Sequence, residues 1–174
     1  MRHPAQLERL RAEVDAGEDA YLDAVVKETL RLRPVLPLVV RILHEPLELT
    51  DGRVIPKGAA VAPCIYLVHR REDVYPDPLS FRPERFLEQP AGTYTWIPFG
   101  GGVRRCLGAA FAQFEMKKVL ETLIRELDLE AVTARPERIA RRAITLTPSG
   151  KATVIARRRH VPARPADAPL AHAA

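Results

Sequence analysis

Between Ile65 and Thr95 the chain crosses a stretch dense in charge and carrying Pro76, Pro78, Pro83 and Pro90, "REDVYPDPLSFRPERFLEQPAGTY" at its centre. Proline removes a backbone donor and fixes φ, so this stretch can be neither a long helix nor the middle of a sheet. The reading is a short helix followed by irregular structure. A coil that long inside a compact domain is either functional or wrapped on a scaffold. The rest of the chain therefore has to supply the scaffold.

The scaffold is legible as periodicity. Leu7, Leu10 and Val14 give one apolar stripe and predict a helix over about 5–16. A stronger helix is predicted over 18–33, with Leu22, Val25, Val26, Leu30 and Leu32 apolar and Pro34 as its stop. The period then changes, and "LPLVVRILHEPLEL", "VIPKG" and "AAVAPC" read as short strands joined by turns such as "TDGR". The longest helix is predicted over 107–129, with Phe111, Phe114, Leu120, Leu123, Ile124 and Leu127 on its buried side. A hairpin closes the chain, "RRAITLTP" and "KATVIARR" pairing across "SG". There is no internal repeat.

At 174 residues and 47% hydrophobic, the chain has material for one core. No apolar run approaches the roughly 20 residues a membrane span needs, and the N-terminus lacks the apolar centre of a secretory signal, so a cytoplasmic protein is expected. Cys64 and Cys106 are the only cysteines, which argues for thiols in a reducing compartment rather than a disulfide scaffold. The net charge of +5 raises the possibility of a nucleic-acid or acidic-membrane partner using the "ARRR" segment. Much of that excess, however, sits in a Pro/Ala/Arg segment over 158–174 that cannot build a core, and it is read as a disordered tail; no nucleic acid and no membrane are expected as partners.

The chemistry concentrates in "FGGGVRRCLG", Phe99 to Gly108, at the mouth of the longest helix. A thiol near a helix N-terminus, with Arg104 and Arg105 beside it, has its anion favoured, which suits Cys106 to be a nucleophile or a metal ligand. A nucleophile needs a base, and no histidine is near in sequence, so only the fold decides that alternative. A zinc site wants about four ligands at short spacing, and a phosphate loop wants a Gly-Lys-Ser/Thr ending; neither is present. What the loop favours is one thiolate holding a metal whose other ligands are not protein. Haem meets that description: the porphyrin supplies four nitrogens, glycines let backbone pass close to its face, and arginines match its propionates.

The loop also resembles the haem-binding signature of the cytochrome P-450 superfamily, Phe-x-x-Gly-x-Arg-x-Cys-x-Gly, with Phe99, Gly102, Arg104, Cys106 and Gly108 at its fixed positions. "KETLRL" is similar to the Glu-x-x-Arg motif of the family's K helix, supplying Glu28 and Arg31, and "FRPERF" to its Pro-Glu-Arg-Phe segment, supplying Arg85. Alone, a Glu and Arg three apart are most often a surface pair worth about 0.2–0.5 kcal/mol. The resemblance instead implies a buried triad of Glu28, Arg31 and Arg85 that pins the irregular "meander" ahead of the cysteine loop. It also implies that Arg41 in "VVRIL" and Arg104 bind the two propionates, and that Phe99 packs near the sulfur.

The fold implied is mainly α with small β-sheets: the C-terminal portion of the cytochrome P-450 fold, comprising K helix, meander, cysteine loop, L helix and closing β-hairpin. It spans 1–157 as a partial domain, without the family's N-terminal part or the I helix and its oxygen-activating acid–threonine pair. The activity implied is that of a haem b monooxygenase acting on an apolar small molecule with dioxygen, Cys106 being the axial ligand. Electrons would come from a ferredoxin or flavodoxin with its reductase, and Arg105, Lys117 and Lys118 either form its docking patch or are an ordinary solvated face. A truncated, inert haem-binding remnant is the alternative. Cys64 is expected as a buried core thiol, Trp96 as core, and His44 and His69 in surface or local hydrogen-bonding roles.

Overall fold

Helix α1 (Pro4–Ala16) opens on a proline, whose missing N–H is harmless in a first turn, and stops at Gly17, whose φ of +81° only glycine adopts freely. Helix α2 (Ala20–Leu32) follows so closely that Glu13 of α1 caps it: Glu13 Oε1 accepts the amides of Tyr21 at 2.6 Å and Leu22 at 2.9 Å. Its end before Pro34 is where the proline was expected to stop it. In the computed structural model, residues 3–133 and 135–159 are described. The core sits where α1, α2 and the later helix α5 (Ala109–Glu126) meet, with Leu10, Val14, Tyr21, Leu22, Val25 and Ile124 buried together. Leu7, Phe81 and Leu120 pack against that cluster.

The strands form four separate antiparallel pairs. Strand β1 (Arg41–Ile42) pairs with β4 (Ala60–Val61), placing Arg41 opposite Val61, and β2 (Leu47–Glu48) pairs with β3 (Val54–Ile55). Two short helices, α3 (Ile65–Val68) and α4 (Arg85–Glu88), punctuate the proline-rich stretch, which is otherwise coil, as expected. Cys64 departs from its expected place. It is half-buried, lies just past β4 as the residue preceding α3, and its thiol faces the Pro37 carbonyl at 3.6 Å.

The C-terminal third corrects three expectations. Helix α5 ends at Glu126, and Leu127 to Ala131 form strand β5 instead of a last helical turn, because β8 (Val154–Arg158) pairs with them in register from Leu127–Arg158 to Ala131–Val154. The closing hairpin is accordingly β6 (Ile139–Arg142) with β7 (Thr145–Pro148), turning at Ala143 and Ile144; Ser149 and Gly150 connect strands of different sheets. Phe111 and Phe114, expected on the buried side of α5, are 68% and 57% exposed. The helix is amphipathic, but α1 and α2 cover only the side that carries Ile124 and Leu120.

Two residues assigned to the tail belong to the folded unit. Arg158 is in β8, and the Arg159 guanidinium grips Asp15 of α1 at 2.6 Å while its amide reaches the Glu126 carbonyl. Residues 160–174, the remainder of that segment, lie outside the described residues. Among the described residues no helix is long and apolar enough to cross a membrane.

Candidate functional site

The site is built outward from α2. Glu28 and Arg31, three apart, lie on one face and are both fully buried. Arg31 binds the Glu28 carboxylate through two nitrogens, Nε at 2.6 Å and Nη2 at 2.8 Å, the fork geometry that makes guanidinium–carboxylate pairs strong. Arg85 reaches the same carboxylate from α4, Nε to Oε1 at 3.2 Å, and the Arg82 amide adds a further bond at 2.8 Å. The three residues assigned to a triad thus meet at one carboxylate, Glu28 binding both arginines.

What the triad does locally follows from the donors left over. Arg31 donates to the carbonyls of His69 (2.7 Å), Pro78 (2.7 Å) and Ser80 (3.2 Å), and Arg85 to those of Pro76 (3.3 Å) and Asp77. A coil has no ladder to satisfy its carbonyls, and buried ones left bare would each cost about 1–3 kcal/mol. Two guanidiniums substitute for that ladder, and Glu28 compensates their charge.

A second connection runs from this cluster to the glycine loop. The His69 ring is completely buried, with Nδ1 3.2 Å from the Arg31 carbonyl and Nε2 accepting the Ile97 amide at 2.9 Å. Burial, with the Arg31 and Arg70 charges adding to it, lowers its pKa from 6.5 to about 4. An aromatic series, Tyr75, Phe86, Trp96 and Phe99, steps from the triad to the loop at centroid spacings of 6.1–6.5 Å. Trp96 is pinned by its indole N–H to the Lys27 carbonyl at 3.1 Å. Sequence reasoning gave His69 a local role and Trp96 a core one; their partners lie 28 to 69 residues away, and no short-range pattern signals them.

The loop itself turns on Gly100 and Gly102, at φ +72° and +65°. A Cβ on Gly100 would lie 3.9 Å from Val39, so the loop runs beside the segment leading into β1 and Arg41. A 3₁₀ turn over Gly102–Arg104 brings the chain back, and the Cys106 amide donates to the Phe99 carbonyl at 3.0 Å. Cys106 precedes α5 rather than starting it; Gly108 is the residue before the helix, and the Ala109 amide reaches the Cys106 carbonyl. Cys106, Arg104 and Arg105 are exposed, and Val103 and Leu107 beside them are completely so. The amides of Leu107 and Gly108 donate to no acceptor among the described residues.

Arg41 donates to the Val40 carbonyl at 2.8 Å, and neither Arg41 nor Arg104 has an acidic partner among the described residues. No described contact joins Arg41 to Arg104 or Cys106. The two lysines of the expected docking patch are compensated: Lys117 sits 2.9 Å from Asp19 and 3.8 Å from Asp23, and Lys118 sits 3.0 Å from Glu121. Of the three residues of that patch, Arg105 has no acidic partner among the described residues. Among the described residues no base touches Cys106 and no group of three metal-binding side chains forms. The donor set fits haem: an exposed thiol on a glycine-opened loop, apolar flanks, amides free to approach the sulfur, and unpaired guanidiniums.

The family profile described as Cytochrome P-450 matches residues 1–155. Curated relatives include "Putative cytochrome P-450 137" of Mycobacterium tuberculosis, 47% identical over 148 residues, covering 85% of this chain and 31% of the relative. "Putative cytochrome P-450 135B1" of Mycobacterium bovis is 43% identical over 153 residues, covering 84% and 32%. Among solved structures, "Retinoic acid bound cyanobacterial CYP120A1" superposes with a TM-score of 0.81 at 30% identity, over 90% of this chain and 39% of that one. The chain spans about a third of the length of the curated relatives it matches. With its profile, its relatives and the geometry of helix pair, coil and cysteine loop in agreement, the chain belongs to the cytochrome P-450 family.

Proposed function

We propose that this chain carries the haem-holding, proximal part of a monooxygenase, with Cys106 as the axial ligand of haem b. The observation that carries the reading is the state of the loop: Cys106 is held by its own amide to Phe99, leaves its sulfur exposed, and has two amides beside it without acceptors. Haem, when bound, would supply the chemistry that reduces dioxygen with two electrons and two protons, placing one oxygen atom in a C–H bond and releasing the other as water, the thiolate favouring O–O cleavage. The chain's own residues do the holding. Arg41 and Arg104 would bind the propionates, Phe99 would pack beside the sulfur, and the Leu107 and Gly108 amides would donate to it, lowering its electron density and so tuning the potential.

Leu38 and Val40, ahead of β1, are exposed and apolar, and they form the part of a substrate pocket this chain provides. They suit an apolar small molecule, in keeping with the retinoic acid named for the structural neighbour. Of the expected patch, Arg105 supplies the uncompensated positive charge that an acidic ferredoxin or flavodoxin would meet. Both cysteines are free, as a reducing cytoplasm would leave them.

The test is the carbon monoxide adduct of the reduced, haem-loaded protein. The far red-shifted Soret band of thiolate ligation is expected in the native protein and absent in Cys106→Ser. A band at the ordinary position in the native protein, or one unmoved by the substitution, overturns the assignment.

A further inference from the structure

His69 lies between two backbone groups that leave it no choice of tautomer. The Ile97 amide can only donate and the Arg31 carbonyl can only accept, so Nε2 is the bare nitrogen and Nδ1 carries the proton. The backbone of His69 is fixed as well, its amide to Ile65 and its carbonyl to Arg31, so the ring cannot drift from α2. Ile97 in turn is the first fixed point of the glycine loop: its carbonyl accepts the Gly100 amide at 2.9 Å, Pro98 is buried, and the Phe99 carbonyl then receives Cys106.

Resting on the reading of Cys106 as the haem ligand, we propose that His69 is a positioning residue for that ligand: its bare Nε2 ties the start of the cysteine loop to α2 and the triad. The ring acts as a rigid spacer between a helix carbonyl and a loop amide that are 66 positions apart in the chain. Protonation would set Nε2–H against the Ile97 N–H and undo the tie. Burial disfavours the charged ring most, and the charges of Arg31 on α2 and Arg70 on the following residue add to it, while the bond to the Arg31 carbonyl works the other way; the Tyr75 ring lies edge-on at 6.5 Å. The Trp96–Phe99 segment brings no titratable side chain to it.

Two substitutions separate the ring's two bonds. His69→Gln puts a carbonyl oxygen near the place of Nε2 and keeps the loop bond; His69→Asn puts an amide near the place of Nδ1 and keeps only the helix bond. Amide hydrogen exchange, measured residue by residue at pH 7.5 on the haem-loaded protein, should leave Ile97 and Cys106 protected in His69→Gln. In His69→Asn both should exchange about fivefold faster, the loss of one hydrogen bond of roughly 1 kcal/mol. Equal exchange in the two variants overturns the proposal.

A measurement on the native protein covers the case in which the Asn variant does not fold. Nitrogen-15 shifts of the His69 ring should report a protonated Nδ1 and a bare Nε2 at neutral pH, and the opposite tautomer overturns the proposal. The two readings can fail separately. An ordinary Soret band with distinct Gln and Asn exchange retires the haem ligation alone, whereas a thiolate Soret band with indistinguishable variants retires the role of His69 alone.

Discussion

Glu28 and Arg85 meet at 3.2 Å across 57 residues of chain, on a carboxylate already held by Arg31 through both oxygens. Removing the carboxylate leaves two guanidiniums buried without compensation, and breaking such a set costs about 3–5 kcal/mol. Glu28→Gln should therefore lower the unfolding free energy in urea by that amount. A loss under about 1 kcal/mol would show the cluster to be solvated. Arg85→Lys should cost less than Glu28→Gln, since a single ammonium keeps the charge but not the reach to the Pro76 and Asp77 carbonyls.

His69 makes stability depend on acid. Its folded pKa, about 4, lies below the unfolded value of 6.5, so the folded state prefers the neutral ring and its contribution is complete above pH 6.5. The contribution is lost as pH falls from 6.5 towards 4, and a depression of this size amounts to roughly 3 kcal/mol. Urea titrations between pH 7 and 4.5 should show this slope in the native protein and a shallower one in His69→Gln. Equal slopes would assign the acid sensitivity to the carboxylates instead.

Adjacent glycines in the loop differ in what they tolerate. Gly100 has φ +72°, whereas Gly101 is extended at φ −154° with open space where a Cβ would go. Gly100→Ala should cost about 1–2 kcal/mol and reduce the fraction of protein with the red-shifted Soret band, while Gly101→Ala should leave stability within about 0.5 kcal/mol. Similar losses at both positions would mean that the loop is tight against a ligand on both sides rather than strained at one.

The phenol of Tyr21 donates to Glu84 at 2.8 Å, tying α2 to the Pro-Glu-Arg-Phe segment, and burial with that bond holds its pKa well above the ordinary phenol range. Tyr21→Phe should remove about 1 kcal/mol, and the native Tyr21 should stay un-ionised in ultraviolet titration through the ordinary phenol range. Ionisation of all tyrosines in one step would contradict the contact.

Charge reversal distinguishes paired from unpaired cations near the loop. Arg105→Glu should slow association with an acidic ferredoxin severalfold at low salt, and Lys118→Glu, whose native charge Glu121 already compensates, should change it little. The order of these two effects, reversed, would move the docking face onto α5.

How much of this was legible in the sequence depends on how local the determining contacts are. Pro34 and Gly17 mark helix ends because they act on their own backbone, and α1 and α2 fall where periodicity puts them. The grouping of Glu28, Arg31 and Arg85 comes from the family resemblance alone, since by spacing the helix pair reads as a surface contact, whereas the loop from Phe99 to Gly108 stands out by its composition. The length of α5 was misread because Leu127 and Leu129 continue a helical pattern, and only pairing with β8, more than twenty residues later, makes them a strand. Phe111 and Phe114 show that periodicity reveals an apolar side without revealing what covers it. Lys117 finds its carboxylates on or just before α2, 98 and 94 residues earlier, a distance at which no sequence pattern speaks.

The guanidiniums that satisfy the Pro76–Ser80 carbonyls come from both sides of that coil, Arg31 before it and Arg85 after it. On a ribosome the helix bearing Glu28 and Arg31 emerges first, with its charges solvated and nothing to hold. Arg31 can hold the His69, Pro78 and Ser80 carbonyls as soon as they appear, but the Pro76 and Asp77 carbonyls and the second contact on Glu28 wait for Arg85. The last part of the coil to be fastened is therefore its middle, and pulse-labelled chains released before Arg85 should be cut by protease near Pro76 and Asp77 while longer ones resist.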